Sequence, residues 1–479
     1  MHSSLQRVCS AFAASLIAGF VSCQQFEYLH EGVLGTSLAL RVDAQDAAAA
    51  ASAEQRVLAE VARLDLILSG HREDSEFARF VKARESASVS KELLAVLDAC
   101  DRWGAATDGA FDAAFSRASA SVTLASASYS PPWQLDVKRG AAKLVTSSAV
   151  GLDGLAKGYV IDRACAAAMA GEGVRGALVD IGGDLCAVGS VEQLVSVANP
   201  LQPADNAAPL FTLTLRDRAI ATSGSYARPM VSDDGAHVES HIRDPKTGAG
   251  VTEVLGATVW APACVDADAL ATALHVMEIK AGLALVERLE NFECVIVDAS
   301  GKVHQTSGVA ALALQGDAAV PAVAIAGAGL EVSLSFEIRK QAGKSKRSYR
   351  RPYVAVWIED QDGNDVRTLC LWIERRRWLR DLRKWYRIHR RDNDLIEART
   401  RATRRPGSYE LIWDGMSNDG EEVPAGEYVL CLEVAREHGT HQMMRAPFKT
   451  RLDQTVTMET NEEIAAAVVT VRREGGGSK

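Results

Sequence analysis

The chain has 479 residues, 47% of them apolar and 24% charged. That composition excludes a disordered tail or a fibre, and the length excludes a mini-protein held together only by disulfides or a metal, predicting two or three domains instead. The net charge of −9 argues against a general nucleic-acid binder, but it conceals an asymmetry. Between Glu337 and Glu410 there are 21 Lys/Arg against 11 Asp/Glu, so one basic block sits on a body that carries −19.

In chain order, Met1 to Gln6 carry no acid, and Arg7 precedes the apolar run Ala11 to Val21. That run is too short to span a bilayer, which takes about 20 residues, and it suits the apolar core of an export signal. Its end, Phe20-Val21-Ser22-Cys23, resembles a bacterial lipobox, with Phe20 where Leu is usual. The resemblance implies lipidation of Cys23 and a signal segment over 1–23, with a plain cleaved signal and a buried N-terminal helix as the alternatives. Gly35 to Val42 alternates like a strand. Ala47 to Leu68 carries Val57, Val61, Leu64 and Leu68 at helical spacing and is expected to be an amphipathic helix. Helices are also expected at Lys91–Trp103 and Gly158–Ala170, and strands at Leu135–Val137, Lys143–Val145 and Ala177–Asp180.

The small apolar stretch Gln315 to Gly329 is expected to link two units. From Leu330 onward the strands alternate, five of the eight Trp residues appear, and a β-sandwich is expected. Trp413 to Gly420 followed by Pro424 to Val434 reads as a hairpin, and the segment after Arg472 as frayed. The whole reads as an α+β domain over 24–315, a linker at 316–330, an all-β sandwich-like domain over 331–450 and a tail over 451–479. The basic run Arg375 to Arg391 surrounds Trp378, Leu382, Trp385, Tyr386 and His389, whose spacing predicts one apolar helical face packed on the sandwich. The seven cysteines after the leader are widely spaced in apolar stretches and read as buried hydrophobes rather than a disulfide framework.

Several clusters in the first unit are hard to explain as packing. Thr107-Asp108-Gly109-Ala110-Phe111-Asp112 places two acids around a glycine turn. Gly154-Leu155-Ala156-Lys157-Gly158-Tyr159 puts a lysine where a helix begins, so that an ammonium and helix N–H groups converge as a phosphate requires. Asp180-Ile181-Gly182-Gly183-Asp184 is a strand entering a double-glycine turn, Ala221-Thr222-Ser223-Gly224 offers hydroxyls, and His241 precedes an Asp244-Pro245 turn. Asp268 and Thr272, spaced i,i+4, share one helix face and suit a hard cation; Asp266 is expected to be that helix's N-cap.

Taken in order, with Asp74-Ser75-Glu76 before them, these clusters resemble the ApbE family, the FAD:protein FMN transferases, over about Gly35 to Leu314. The resemblance implies an enzyme that binds FAD and Mg²⁺, transfers FMN to a Thr or Ser hydroxyl of an exported FMN-domain acceptor protein, and releases AMP. It implies that Ala110, Phe111 and Asp112 contact the flavin nucleotide and that Lys157 meets its phosphates. Asp268, Thr272 and the carbonyl of Gly154 would hold Mg²⁺, and His241 would act at the reacting hydroxyl. Three departures stand out: Gly151 replaces a common Asp, leaving Asp153 as the acid from a shifted position; His71 stands where a flavin-stacking Tyr is common; and the Asn that usually closes the Ser-Glu motif region is replaced around Phe80-Val81. A pyrophosphatase giving FMN and AMP, and a non-catalytic FAD-binding envelope lipoprotein, are the alternatives. The later β-rich segment looks like a domain of unknown function found in envelope proteins, and its last hairpin is similar to Ig-like repeats of flagellar hook-capping proteins. Expected partners are the acceptor and, through Cys23, an envelope membrane on the periplasmic side; no nucleic acid is expected.

Overall fold

The computed structural model describes residues 24–473, except 84, 115–128, 203, 205, 208, 225–229, 232–237, 240–242, 314–329, 341–350, 374–375, 402 and 438. The expected signal segment and His241 therefore lie outside the described residues, as does the expected linker except for Leu330, which instead opens a strand.

The first unit runs β1 (Gln24–Val33), β2 (Thr36–Ala44), α1 (Ala47–Leu68), α2 (Glu76–Ala83), β3 (Ala87–Ser88), α3 (Lys91–Ala106), β4 (Trp133–Asp136), β5 (Ala141–Leu144) and α4 (Ala156–Met169). It continues through β6 (Val174–Ile181), β7 (Asp184–Gly189), β8 (Gln193–Val197), β9 (Phe211–Leu215), β10 (Arg218–Gly224), β11 (Met230–Val231), β12 (Val238–Glu239) and β13 (Val254–Ala261). Then follow α5 (Cys264–Val276), α6 (Ile279–Val286), β14 (Glu293–Asp298), β15 (Val303–Gln305) and α7 (Val309–Ala313).

Eight of these strands form one antiparallel sheet in the order β1-β2-β6-β7-β10-β13-β14-β15. Period-two alternation divides its faces. Leu38, Leu40, Val42, Val179, Cys186, Ala219, Ala221 and Val259 point to one side and pack on α1, α4 and α5. Leu178, Leu185, Ala187, Ile220 and Trp260 point to the other, under the β8–β9 hairpin and α7.

α1 forms as the spacing predicts: Ala50, Ala53, Val57, Val61, Leu64 and Leu68 are its buried stripe. Each buried Val or Leu on that stripe contributes about 1.5–3 kcal/mol. Its start is fixed by Asp46, whose carboxylate accepts from the Ala49 N–H at 2.8 Å.

The second unit holds β16 (Leu330–Ile338), β17 (Tyr353–Glu359), β18 (Asp365–Trp372), a 3₁₀ turn (Arg376–Asp381), α8 (Arg383–His389), α9 (Asn393–Arg399), β19 (Thr400–Arg401), β20 (Gly407–Trp413), β21 (Glu427–Ala435), β22 (His441–Lys449), β23 (Gln454–Thr457) and β24 (Ile464–Arg473). Its sheets, β20-β16-β24-β23 and β19-β18-β17-β21-β22, pack around Phe336, Trp372, Trp413, Leu430 and Val469, the expected sandwich.

Three expectations for this unit are corrected. Residues 451–479 are not simply a tail, because β24 lies between β16 and β23, with Ile464, Ala467, Val469 and Val471 buried. Trp413 to Val434 is not a hairpin: β20 pairs with β16 and β21 with β17 and β22, so the turn crosses from one sheet to the other. The basic run is not one helix, because Leu382, with φ −82° and ψ 74°, separates the 3₁₀ turn from α8. The Lys384 and Trp385 N–H groups that this break frees donate to the buried Glu433 carboxylate, each at 2.9 Å. The apolar face still packs as expected: Leu382 and Trp385 are fully buried on the outer side of the sandwich.

Candidate active site

The site forms where the β6–β7 turn, the end of β10 and the first turns of α4 and α5 meet. Gly182 and Gly183 have φ of 67° and 95°, left-handed backbone that favours glycine, and they reverse β6 into β7. The Gly183 N–H donates to the Asp180 carboxylate at 2.9 Å. Burial, reinforced by neighbouring Asp184, pushes Asp180 up to about 6 although Lys157 and the Gly183 N–H oppose it.

Asp184 opens β7 and is 2% exposed. One oxygen accepts from the Thr222 N–H at 3.1 Å and the other pairs with the Lys157 ammonium. Burial alone would lower the Lys157 pKa, but the Asp268 and Asp184 carboxylates outweigh it and hold the ammonium charged.

Asp268, on α5, is also buried, and its Oδ2 accepts from the Gly158 N–H at 3.0 Å. Burial pushes its carboxyl up to about 7, with Lys157 pulling down and Asp184 pushing up. One turn on, Thr272 places its hydroxyl 3.4 Å from the Ser223 hydroxyl at the end of β10. Lys157, Asp184, Asp268, Thr272 and Ser223 thus gather a cation, two carboxylates and two hydroxyls on the helix-bearing side of the sheet.

Two close approaches fix this geometry. A Cβ on Gly158 would lie 2.3 Å from the Cys264 carbonyl oxygen, so only glycine lets α4 touch the start of α5. The donors at that start, Cys264 N–H and Val265 N–H, reach the Asp162 carboxylate at 2.7 and 2.9 Å. Asp162, one turn after Gly158, is therefore the cap of α5. Asp266 is not the N-cap; the helix begins two residues earlier, and Asp266 instead accepts from Trp103 Nε1 and Arg102, each at 2.9 Å.

The other residues singled out from the sequence fall in different places. Gly154 abuts Phe111, whose ring a Cβ there would meet at 2.8 Å, so the 107–112 turn and the start of α4 touch. Ala110 and Phe111 are 8% and 4% exposed and belong to the core, whereas Asp112 is half-buried. Asp112 accepts from the Ala114 N–H at 2.8 Å, and burial raises its pKa despite that bond. Asp153 does not enter the cluster: its side chain is 79% exposed and lies 4.0 Å from the still more exposed His71. Ser75 is a buried helix cap, donating to the Ser69 carbonyl at 2.6 Å and accepting from the Ala78 N–H.

Sequence reading gave Asp184, Asp162 and Ser223 no role. Asp184 had a signal, an acid directly after a strand-ending double glycine. Asp162 follows the Gly154–Tyr159 cluster in the order of the family's motifs, but its capping role was hidden because its partners lie 102 and 103 residues on. Among the described residues no three His, Cys, Asp or Glu side chains gather as a metal cluster, so a cation here would draw on hydroxyl and carbonyl oxygens as well.

A sheet with α1, α4 and α5 layered on one face, and an ammonium, carboxylates and hydroxyls gathered where α4 and α5 meet it, defines an α+β enzyme. The model described as "ApbE family" matches residues 34–296, and the chain belongs to that family. A second model, "Predicted periplasmic protein (DUF2271)", matches residues 332–466. The FAD:protein FMN transferase of Treponema pallidum is 27% identical over 319 residues, 58% of this chain and 86% of the relative. That of Salmonella typhimurium is 27% identical over 299 residues, 55% and 81% respectively. The crystal structure of the ApbE protein of Thermotoga maritima aligns with a TM-score of 0.53 at 24% identity, covering 60% of this chain and 99% of that one, a likeness of fold.

Proposed function

We propose that this chain transfers FMN from FAD to a Thr or Ser hydroxyl of an exported acceptor protein, releasing AMP, with Mg²⁺ required. The observation that carries the reading is the convergence of Lys157, Asp184, Asp268 and Thr272 at the starts of α4 and α5, in a family whose relatives are named FAD:protein FMN transferase.

The residues fit a magnesium ion. A carboxyl that burial pushes up to about 7 despite the nearby Lys157 ammonium is only partly compensated, and a divalent cation would supply the rest; Asp268, the Thr272 hydroxyl and the Gly154 carbonyl would be its hard oxygens. Bound there, the ion would neutralise charge developing on the diphosphate. Lys157, steadied by Asp184, would orient the flavin-side phosphate. The acceptor oxygen forms a bond to that phosphorus, the bond from phosphorus to the AMP oxygen breaks, and AMP leaves with the electron pair. His241 would take the acceptor hydroxyl's proton; an imidazole suits this near neutral pH.

The match of the second unit to a predicted periplasmic family supports export, and Ser22-Cys23 supports a lipid anchor. Among the described residues no helix is long and apolar enough to cross a membrane. The deciding experiment is incubation with FAD, Mg²⁺ and an exported FMN-domain protein. The acceptor should gain the mass of FMN as AMP appears in equal amount. AMP and free FMN with an unlabelled acceptor would overturn transfer in favour of hydrolysis.

A further inference from the structure

Among the described residues, two sets of contacts join the second unit to the first at the site end of the large sheet. On one side, Glu31 of β1 pairs in register with Ser37, whose neighbour Leu38 pairs with Ile181 at the mouth of the double-glycine turn. Glu31 forms an ion pair with Arg351, and its carboxylate accepts from the Thr403 hydroxyl at 3.3 Å. The Arg351 and Glu31 side chains are only 14% and 18% exposed, and Arg351 also donates to the Thr403 carbonyl at 3.3 Å.

On the other side, Asn206 lies in the β8–β9 connection, whose Pro200 packs on Gly256, the register partner of Gly224 just beyond Ser223. The Asn206 amide donates to the Ile412 carbonyl at 2.6 Å and accepts from the Ile412 N–H at 2.7 Å. It does for β20, an edge strand, what a neighbouring strand would do. The two contacts therefore bracket the strand ends between which Asp184 and Ser223 sit.

The second unit also carries the basic run, and part of it lies close to this contact. Trp378 stacks on Tyr353 with centroids 6.4 Å apart, two residues from Arg351, and Arg377 lies 4.8 Å over the Trp378 ring. Arg377, Arg380, Arg383 and Arg387 are exposed. The run starts beside this contact at Arg377 and extends along the outer side of the sandwich, where Lys384 pairs with Glu359 at the far end of β17 at 2.6 Å. An exposed ridge of arginines rooted beside the contact therefore favours an acidic surface.

We propose that the second unit is a docking platform, clamped beside the site by Glu31 and Asn206, that recruits an acceptor protein through an acidic surface on the acceptor. This rests on the transfer reading and adds the partner's chemistry to it. Platform and chemistry separate kinetically: loss of the ridge or the clamp should raise the acceptor KM and leave FAD binding alone.

The test uses the full chain, FAD, Mg²⁺ and the FMN-domain protein of the transfer assay, with poly-L-glutamate as competitor. Joint charge reversal of Arg377, Arg380, Arg383 and Arg387 to Glu should raise the acceptor KM at least about tenfold, abolish competition by poly-L-glutamate and leave FAD affinity and kcat within about twofold. A set of four Arg→Gln changes, safer for folding, should give a smaller rise in the same direction. Asn206→Ala with Glu31→Gln should raise the KM similarly and increase the radius of gyration in solution scattering. An unchanged KM in both arginine sets overturns the proposal. So does loss of binding to phosphatidylglycerol vesicles with an unchanged KM, which assigns the ridge to a membrane. A wild-type chain that binds FAD and labels no acceptor refutes the transfer reading itself, a result that none of the variants can mimic.

Discussion

Gly158→Ala tests the geometry of the site without touching a charged group. The new methyl would lie 2.3 Å from the Cys264 carbonyl oxygen, 2.6 Å from its carbon and 2.8 Å from the Val265 Cα. All three are backbone atoms of the first turn of α5, so no side chain can rotate away. Restoring ordinary contact at about 3.4 Å requires α4 and α5 to part by roughly 1 Å, and overpacking of this kind costs about 1–3 kcal/mol. For a unit of this size the melting temperature should fall by about 2–10 °C. The same displacement carries Asp268 and Thr272 away from Gly154 and Lys157, and a 1 Å misplacement at a reacting centre costs on the order of 10²-fold. The assays are calorimetry and FMN transfer per folded molecule. A Gly158→Ala protein with wild-type melting and a wild-type rate would refute the close approach of the two helices and the dependence of the site on it.

Asp184→Asn keeps an oxygen for the Thr222 N–H but removes one of the carboxylates holding Lys157; with a third of the Lys157 side chain exposed, the loss should be on the order of 2–3 kcal/mol, and FAD titration should show weaker binding. Asp268→Ala should abolish FAD cleavage and the Mg²⁺ response, whereas His241→Ala should keep FAD binding while transfer falls by on the order of 10²–10⁴, and parallel losses in both would remove His241 from the mechanism. Burial raises the Asp162 carboxyl to about 6 against its two backbone bonds, so the folded state holds this proton more tightly than the unfolded chain. Its contribution to stability is full below about pH 4 and is lost as pH rises through about 6; Asp162→Asn should flatten the melting temperature over that window. A chain stopped after Thr450 lacks β24, and its second unit should lose its cooperative transition while the first keeps its own.

What the sequence revealed depended on how local each cause is. α1 was legible from end to end because its stripe recurs every three or four residues and its buried face needs no partner to be recognised. The i,i+4 pair Asp268 and Thr272 was legible for the same reason. β24 was not: its strand Ile464-Ala-Ala-Ala-Val-Val-Thr-Val is alanine-rich, its near partner β23 is only four residues long, and its longer pairing, with β16, reaches more than a hundred residues back. The start of α5 was misplaced because its cap comes from Asp162 on another helix, and Asp266, the local candidate, was drawn to Trp103 and Arg102. Asp153 looked like a site acid by its position beside Gly154, but the tight turn into α4 faces it outward.

The seven described cysteines all carry thiols outside any disulfide and are all buried, five in the first unit and two in the second. Burial raises the thiols of Cys100, Cys264, Cys294 and Cys431 above their ordinary range, with Cys294 and Cys431 pushed up to about 12, so in the folded chain they are poor nucleophiles. Each becomes reactive only when its surroundings open. A thiol reagent applied to the native chain therefore acts as a clock, with modification at Cys370 and Cys431 timing the opening of the sandwich and modification at Cys100, Cys165, Cys186, Cys264 and Cys294 timing the other unit. Bound FAD should slow the reaction of Cys264, in the first turn of α5, more than that of Cys370, giving a read-out of ligand occupancy that needs neither turnover nor an acceptor.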